Sequence, residues 1–201
     1  MITKNDTDFL GLAMAECAKA NVKVVFFPKE YVKADDENCS GYFDDVLKEL
    51  YVATKKSQKD WFETFIHEYC HFQQWMEREP TFMKLTHNRQ LDNDIWDWIQ
   101  GKGNISIQRF RRSMRAYRQM ELNCERRVIK LIDKYNLSVD KKEYIRSANV
   151  YVLFYGLLES IKKWYKFSPF DKRLYVFVPD TFIRSFKIPP GFKEKILKIC
   201  Y

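Results

Sequence analysis

The sequence predicts an α+β fold that is mainly helical and contains a small sheet. Apolar residues recur at helical spacing in several long segments, and the longest of them, 107–135, contains no glycine or proline. Two short runs of β-branched and aromatic residues, 22–27 and 50–54, predict strands. The chain has 201 residues, of which 46% are hydrophobic. That is enough apolar material for one domain, 1–201.

The first region, 1–56, is predicted to hold a helix and the sheet. Asp6 or Thr7 is a candidate N-cap for the helix, and the polar stretch 34–45 between the strands predicts a loop or a hairpin. In the second region, 57–135, Asp60 and Glu63 form a capping-box pattern that predicts a helix over 58–77. Pro80 ends that helix.

The rest of the chain is less regular in pattern. We expect an irregular packed element over 81–104 and a long helix over 107–135. In the third region, 136–201, a helix over 141–165, a strand over 174–178 and a helix over 192–199 are expected. The sequence assigns no role to this third region.

The formal charge of +8 suits a nucleic acid, an anionic membrane surface or an acidic protein as partner. Five arginines in the long predicted helix carry the densest positive charge, and the alternative is that they form a solvated helix face. They are Arg109, Arg111, Arg112, Arg115 and Arg118.

Cysteine usage and hydropathy predict a cytoplasmic protein. The five cysteines show no paired spacing, which is typical of free thiols in a reducing compartment. The apolar stretch 9–15 lacks the basic segment of a signal peptide, and the longest later apolar run, 150–158, is too short to span a membrane.

The most informative motif is His67-Glu68-Tyr69-Cys70-His71. A helix places residues four apart on one face, so His67 and His71 can present two imidazoles to one zinc ion. Glu68 would lie beside the metal, where its carboxylate can take a proton from a zinc-bound water. The sequence therefore predicts a catalytic zinc site.

A catalytic zinc ion needs a third protein ligand. Gln74 and Glu77 occupy the places of the glycine and third histidine of metzincins, which excludes that class. His87 lies beyond Pro80 among polar residues and is a poor candidate. A glutamate from a second helix is the alternative.

The run Met120-Glu121-Leu122-Asn123-Cys124-Glu125-Arg126 supplies two glutamates on one helix face. Together with the His67–His71 motif it resembles gluzincin metallopeptidases. The likeness is to compact members and to uncharacterised metallopeptidase-like proteins of phages and bacteria. It covers about 50–130, with Cys124 and Glu125 where an alanine and an aspartate are usual.

The resemblance implies a zincin-like fold, Glu121 as the third ligand, and Glu125 as the group that orients a metal-bound histidine. The two glutamates could exchange these roles. The alternative is that both pair with Arg118, Lys130 and their neighbours on a charged helix face.

The resemblance also implies a peptide or protein substrate. In gluzincins the strand before the motif helix is a sheet edge to which the substrate adds, and Tyr51, Val52 and Ala53 occupy that strand here. An internal strand is the alternative. Tyr151 is our candidate for the donor that stabilises the oxyanion. The competing hypothesis is a latent or non-catalytic zincin-fold module that binds nucleic acid or protein through its arginines.

Overall fold

The computed structural model describes residues 2–34, 37–87, 89–166 and 168–201. Residues 35–36 and 88, which belong to the predicted loop 34–45 and the segment 81–104, lie outside these ranges. Within them the chain has the predicted α+β, mainly helical fold. The helices are α1 (Lys4–Lys19), α2 (Gln58–Met76), α3 (Pro80–Thr86), α4 (Arg89–Gln100), α5 (Ile107–Tyr135), α6 (Lys141–Ile161) and α7 (Phe192–Cys200). The strands are β1 (Lys23–Phe27), β2 (Val32–Ala34), β3 (Glu37–Cys39), β4 (Gly41–Asp44) and β5 (Glu49–Ala53).

The chain folds into two compact units, and each is built from two separate stretches of sequence. The first unit comprises residues 1–79 and 124–139, and the second comprises 80–123 and 140–201. Helix α5 contributes to both, with residues 107–123 in the second unit and 124–135 in the first.

The first unit contains a three-stranded sheet in the order β1-β5-β4. Strand β5 runs parallel to β1, with Val25 opposite Tyr51, and antiparallel to β4, with Tyr42 opposite Tyr51. Strands β2 and β3 form a separate antiparallel pair.

Helix α2 covers one face of this sheet. Phe26 of β1 contacts Phe65 of α2 with ring centroids 5.8 Å apart, and Phe43 of β4 contacts Phe72 at 5.9 Å. Phe9 of α1 packs edge-on against Phe65, so α1 and α2 share one apolar core. This core fixes α2 against the strands.

Both predicted N-caps in the first unit are wrong, although both helices are present. Thr3 caps α1, and Asp6 lies three residues inside it, where its carboxylate accepts hydrogen bonds from Thr3 and from Ser138. Ser57 caps α2 by accepting from the Asp60 backbone N–H. Burial raises the pKa of Asp6, but the hydrogen bonds from Ser138 and Thr3 outweigh it and hold the pKa below its ordinary value.

The second unit is helical around a core to which α4, α5, α6 and α7 contribute Ile95, Phe110, Phe154 and Phe192. The predicted irregular element is wrong over most of 81–104, because 81–86 belong to α3 and 89–100 belong to α4. Residues 101–104 are non-helical. Pro80 is the first residue of α3, where a backbone N–H would have no partner within the helix, so the proline costs no hydrogen bond.

The predicted strand over 174–178 is also wrong, because Lys172–Phe177 is a 3₁₀ helix capped by Asp171.

The predicted substrate-edge strand is wrong as well. Tyr51, Val52 and Ala53 belong to β5, which lies between β1 and β4, so hydrogen-bonding neighbours occupy both of its sides. The strand beside it, β4, pairs with no second strand in the described parts of the chain. Strand β4 therefore occupies the edge that the sequence assigns to β5.

Gly41 lets β4 approach both β5 and α2. A Cβ atom at this position would lie 2.6 Å from the Tyr51 carbonyl oxygen and 2.7 Å from Thr64 Cγ2. Relieving these overlaps would require the Tyr51 backbone and the branched Thr64 side chain to move, and both are held by packing. The edge strand therefore needs glycine here.

We expect Gly41→Ala to destabilise the protein by about 1–3 kcal/mol, because the added methyl forces β4 off its neighbours. Gly11→Ala is the matched control, since nothing lies within 4 Å of a Cβ at that position in the middle of α1. It should stabilise by about 0.5–1 kcal/mol through helix propensity. Urea unfolding midpoints test both, and a Gly41→Ala protein as stable as the parent would contradict the close approach.

Candidate metal centre

Two imidazoles converge on the side of α2 that carries the sequence motif. His67 Nε2 and His71 Nε2 lie 3.0 Å apart, and the two rings are nearly perpendicular, at 83°. His71 is 7% exposed, and the side chain of His67 is 17% exposed. The four-residue spacing on one helix accounts for the convergence.

The other ring nitrogen of each histidine faces an acceptor. His71 Nδ1 lies 2.8 Å from Oε1 of Gln74, which is fully buried. His67 Nδ1 lies 3.3 Å from Oε1 of Glu125, which is 3% exposed. Each acceptor favours a proton on Nδ1 and so leaves the Nε2 lone pair pointing at the other histidine.

This arrangement fits a bound cation. Two nitrogen lone pairs that face each other at this distance repel unless a proton or a metal ion lies between them. Two nitrogens bound tetrahedrally to one zinc at roughly 2.0–2.1 Å would be about 3.3 Å apart. The observed separation of 3.0 Å is close to that value. The histidines and their neighbours could therefore hold a metal ion.

Cys124 is a further donor atom beside the pair. Cys124 is fully buried. Its Sγ atom and one ring nitrogen each of His67 and His71 all lie within 4.8 Å of one another. However, its Sγ atom donates to the His67 carbonyl oxygen at 3.4 Å and lies 3.7 Å from His67 Nδ1, the nitrogen that faces Glu125. Cys124 thus packs beside the ring nitrogen that does not face His71.

Glu68 lies between the histidine pair and the edge of the sheet. It is 7% exposed, and a Cβ added at Gly41 of β4 would lie 3.2 Å from its Cγ atom. Burial raises the pKa of Cys39 to about 12, and the charge of Glu68 contributes to this increase. The carboxylate of Glu68 therefore lies on the side of α2 that carries β3 and β4.

Glu121 lies one helical turn before Glu125 in α5 and is 4% exposed. Within the second unit Glu121 is close enough to Tyr151 for its charge to act on the phenol. The Tyr151 hydroxyl accepts a hydrogen bond from the Tyr155 hydroxyl at 2.8 Å. Burial raises the pKa of Tyr151 well above its ordinary value, and the charges of Tyr165 and Glu121 add to the increase. Tyr151 therefore stays protonated near neutral pH and can donate a hydrogen bond.

The predicted charged face of α5 is not continuous. Arg109 pairs with the buried Asp94, and Arg111 pairs with Glu159. Arg118 is partly buried, which leaves Arg112 and Arg115 as the exposed members of the predicted set that have no carboxylate partner among the described residues. The alternative pairing of Glu121 or Glu125 with Arg118 is absent from the described chain.

Sequence reasoning missed Gln74 and the contact of Cys124. The sequence marks Gln74 only as a mismatch to the metzincin pattern, although Gln74 follows His71 by three residues and so shares its helix face. That spacing was the available signal. Nothing local indicated the Cys124 contact, which depends on how α5 packs against α2.

Comparisons of the chain with protein-family models, with curated proteins and with solved structures found no match. None of the described helices combines the length and the apolar character needed to cross a bilayer.

We expect Gln74→Met to release the His71 ring, because methionine has a similar size but lacks the acceptor for Nδ1–H. In the metal-free protein, ¹⁵N chemical shifts of the three histidines would show His71 leaving the Nδ1-protonated tautomer. The affinity of the site for a metal ion, measured by titration with zinc, should fall by roughly 10- to 100-fold.

Gln73→Met is the matched control, because Gln73 is the next residue along and its amide donates to the Tyr69 hydroxyl instead. It should leave both the tautomer and the affinity unchanged. A Gln74→Met protein that behaves like this control would remove the positioning role of Gln74.

Proposed function

We propose that the protein is a zinc-dependent metallopeptidase of the gluzincin type. The observation that carries the proposal is the 3.0 Å approach of His67 Nε2 to His71 Nε2, with both Nδ1 atoms facing acceptors. Such a pair has two lone pairs directed at one point, as a borderline-soft cation with nitrogen ligands requires. The glutamate next to the first histidine then favours hydrolysis over a purely structural site.

Glu121 is the proposed third protein ligand. Its burial supports this role, because a carboxylate so far from solvent requires compensation by a cation or by hydrogen bonds. It lies one turn from Glu125 on α5, and the negative charge of Glu121 acts on the Tyr151 phenol. Cys124 is disfavoured as a ligand because its thiol already donates to the His67 carbonyl oxygen.

A bound zinc ion supplies a Lewis acid and lowers the pKa of a coordinated water to roughly 7. Glu68 takes the proton of the attacking water and delivers it to the leaving amine as the peptide bond breaks. Gln74 and Glu125 hold the two imidazoles in the Nδ1-protonated tautomer. Tyr151 donates a hydrogen bond to the oxygen on which negative charge develops.

Strand β4 is the proposed substrate edge in place of β5. It lies close to Glu68, since a Cβ added at Gly41 would be 3.2 Å from Glu68 Cγ, and its outer side bears no further strand in the described residues. An extended peptide that pairs with this edge gains main-chain hydrogen bonds with little demand on its side chains. This favours a peptide over a small-molecule substrate.

The alternative function is a latent or non-catalytic module that binds nucleic acid or protein through its basic surface. The pairing of Arg109 and Arg111 with carboxylates reduces the surface available for it. No contact in the described chain favours this alternative over the peptidase.

The first test is metal content after purification without added zinc. Wild-type protein should hold about one zinc ion per chain, and His71→Ala should lose it because one of two converging nitrogens is gone. His87→Ala is the matched control, since it removes the histidine outside the motif and should leave the zinc in place. Equal, substoichiometric zinc in all three proteins would overturn the proposal.

The second part of the test separates metal binding from turnover. Glu68→Gln keeps the size of the side chain but removes the base, so it should retain zinc and lose roughly 10²- to 10⁴-fold in the cleavage rate of quenched fluorescent peptides. A variant with full activity would exclude Glu68 as the base.

A further inference from the structure

Arg118 occupies an unusual position on α5. Its guanidinium carbon lies 4.3 Å from the centroid of the Phe186 ring, so the cation stacks on an aromatic face. Gly156 of α6 lies next to it, and a Cβ there would come within 3.1 Å of both Arg118 Nη1 and Ile188 Cδ1. The absence of a side chain at position 156 gives the guanidinium its room.

The charge of Arg118 has no carboxylate counterpart among the residues that the structure describes. In the described parts of the chain no acidic group lies within ion-pair distance of it, and its buried Nε atom has no hydrogen-bond acceptor. Burial lowers the pKa of Arg118 from its ordinary value, and the positive charge of Arg115 lowers it further. The surroundings therefore destabilise this cation, and an anion beside it would offset the cost.

Two other arginines of the same unit do have a carboxylate partner. Arg109 holds Asp94 through Nε and Nη2 at 3.2 and 2.5 Å, and Arg111 holds Glu159 through the same two atoms at 2.9 and 2.5 Å. Both show the two-pronged geometry by which a guanidinium binds a carboxylate. The Arg118 guanidinium has the same two donor atoms, but no acidic side chain in the described parts of the chain pairs with them.

The sequence position of Arg118 relates it to the proposed zinc ligands. Arg118, Glu121 and Glu125 are spaced i, i+3 and i+7, which places all three on one stripe of α5. At about 1.5 Å of rise per residue, the Cα atom of Arg118 is roughly 4.5 Å along the helix axis from that of Glu121. A ligand held by Arg118 would therefore be on the stripe that carries Glu121.

We propose that Arg118 binds a carboxylate of the substrate and so gives the enzyme a preference for anionic peptides. The carboxylate is either the free C-terminus of the peptide or an acidic side chain within it. This inference rests on the proposed peptidase function. The stacked guanidinium suits a planar carboxylate, because the contact with the Phe186 ring fixes the orientation of the guanidinium plane.

The test measures binding rather than turnover. The Glu68→Gln protein is titrated by calorimetry with three alanine-rich hexapeptides that are acetylated at the N-terminus. The first has a free C-terminal carboxylate, the second has a C-terminal amide and one central glutamate, and the third is an amide with glutamine at that position. At least tenfold tighter binding of the first or the second than of the third is expected, and the tighter one identifies the source of the carboxylate.

The same titrations are then repeated with Arg118 changed. Arg118→Met should abolish the difference between the charged and neutral peptides, and Arg118→Lys should restore part of it because a point charge remains. Arg115→Met is the matched control, since Arg115 is exposed on the same helix, and it should keep the full preference. Thermal unfolding of each variant verifies that the fold is intact.

Two outcomes would overturn the inference. One is equal binding of all three peptides to the protein that retains Arg118, and the other is a carboxylate preference that survives in Arg118→Met. Zinc content measured on the same samples separates this failure from failure of the proposed function. Zinc-loaded protein without a carboxylate preference overturns the role of Arg118 alone, whereas protein that takes up no zinc overturns the peptidase proposal.

Discussion

The approach of His67 Nε2 to His71 Nε2 is the constraint on which the candidate site depends. It requires α2 to be helical through the motif, and it requires a buried acceptor behind each ring. Gln74 supplies one acceptor from α2 itself, and Glu125 supplies the other from α5. If either acceptor is lost, the ring behind it can rotate or change tautomer, and the two lone pairs no longer meet.

The sheet supports this site from the other side. The aromatic contacts of Phe26 and Phe43 with α2 hold the helix against β1 and β4, and Gly41 lets the edge strand come close to Glu68. The proposed base and the proposed peptide-binding edge thereby lie next to each other. The short strand β4 is thus as important to the proposed chemistry as the motif itself.

The sequence predicted what depends on local spacing. The bounds of α5 and the facing histidines follow from periodicity within one helix, and the structure confirms both. The edge strand was assigned wrongly because strand pairing is not local, and Gly41–Asp44 is a short run inside a polar stretch. The N-caps were misplaced because several residues near each helix start can accept a hydrogen bond, and packing decides among them. The interleaving of two units from separate stretches of chain has no local signal either.

X-ray absorption at the zinc edge of the zinc-loaded protein tests the central claim most directly, because it reports the ligand atoms themselves. The account predicts nitrogen and oxygen neighbours at about 2.0–2.2 Å, scattering from two imidazoles, and no sulfur. In Glu121→Gln the oxygen contribution should weaken while both imidazoles remain. A sulfur neighbour at about 2.3 Å would make Cys124 a ligand and contradict the proposed site, as would scattering from fewer than two imidazoles.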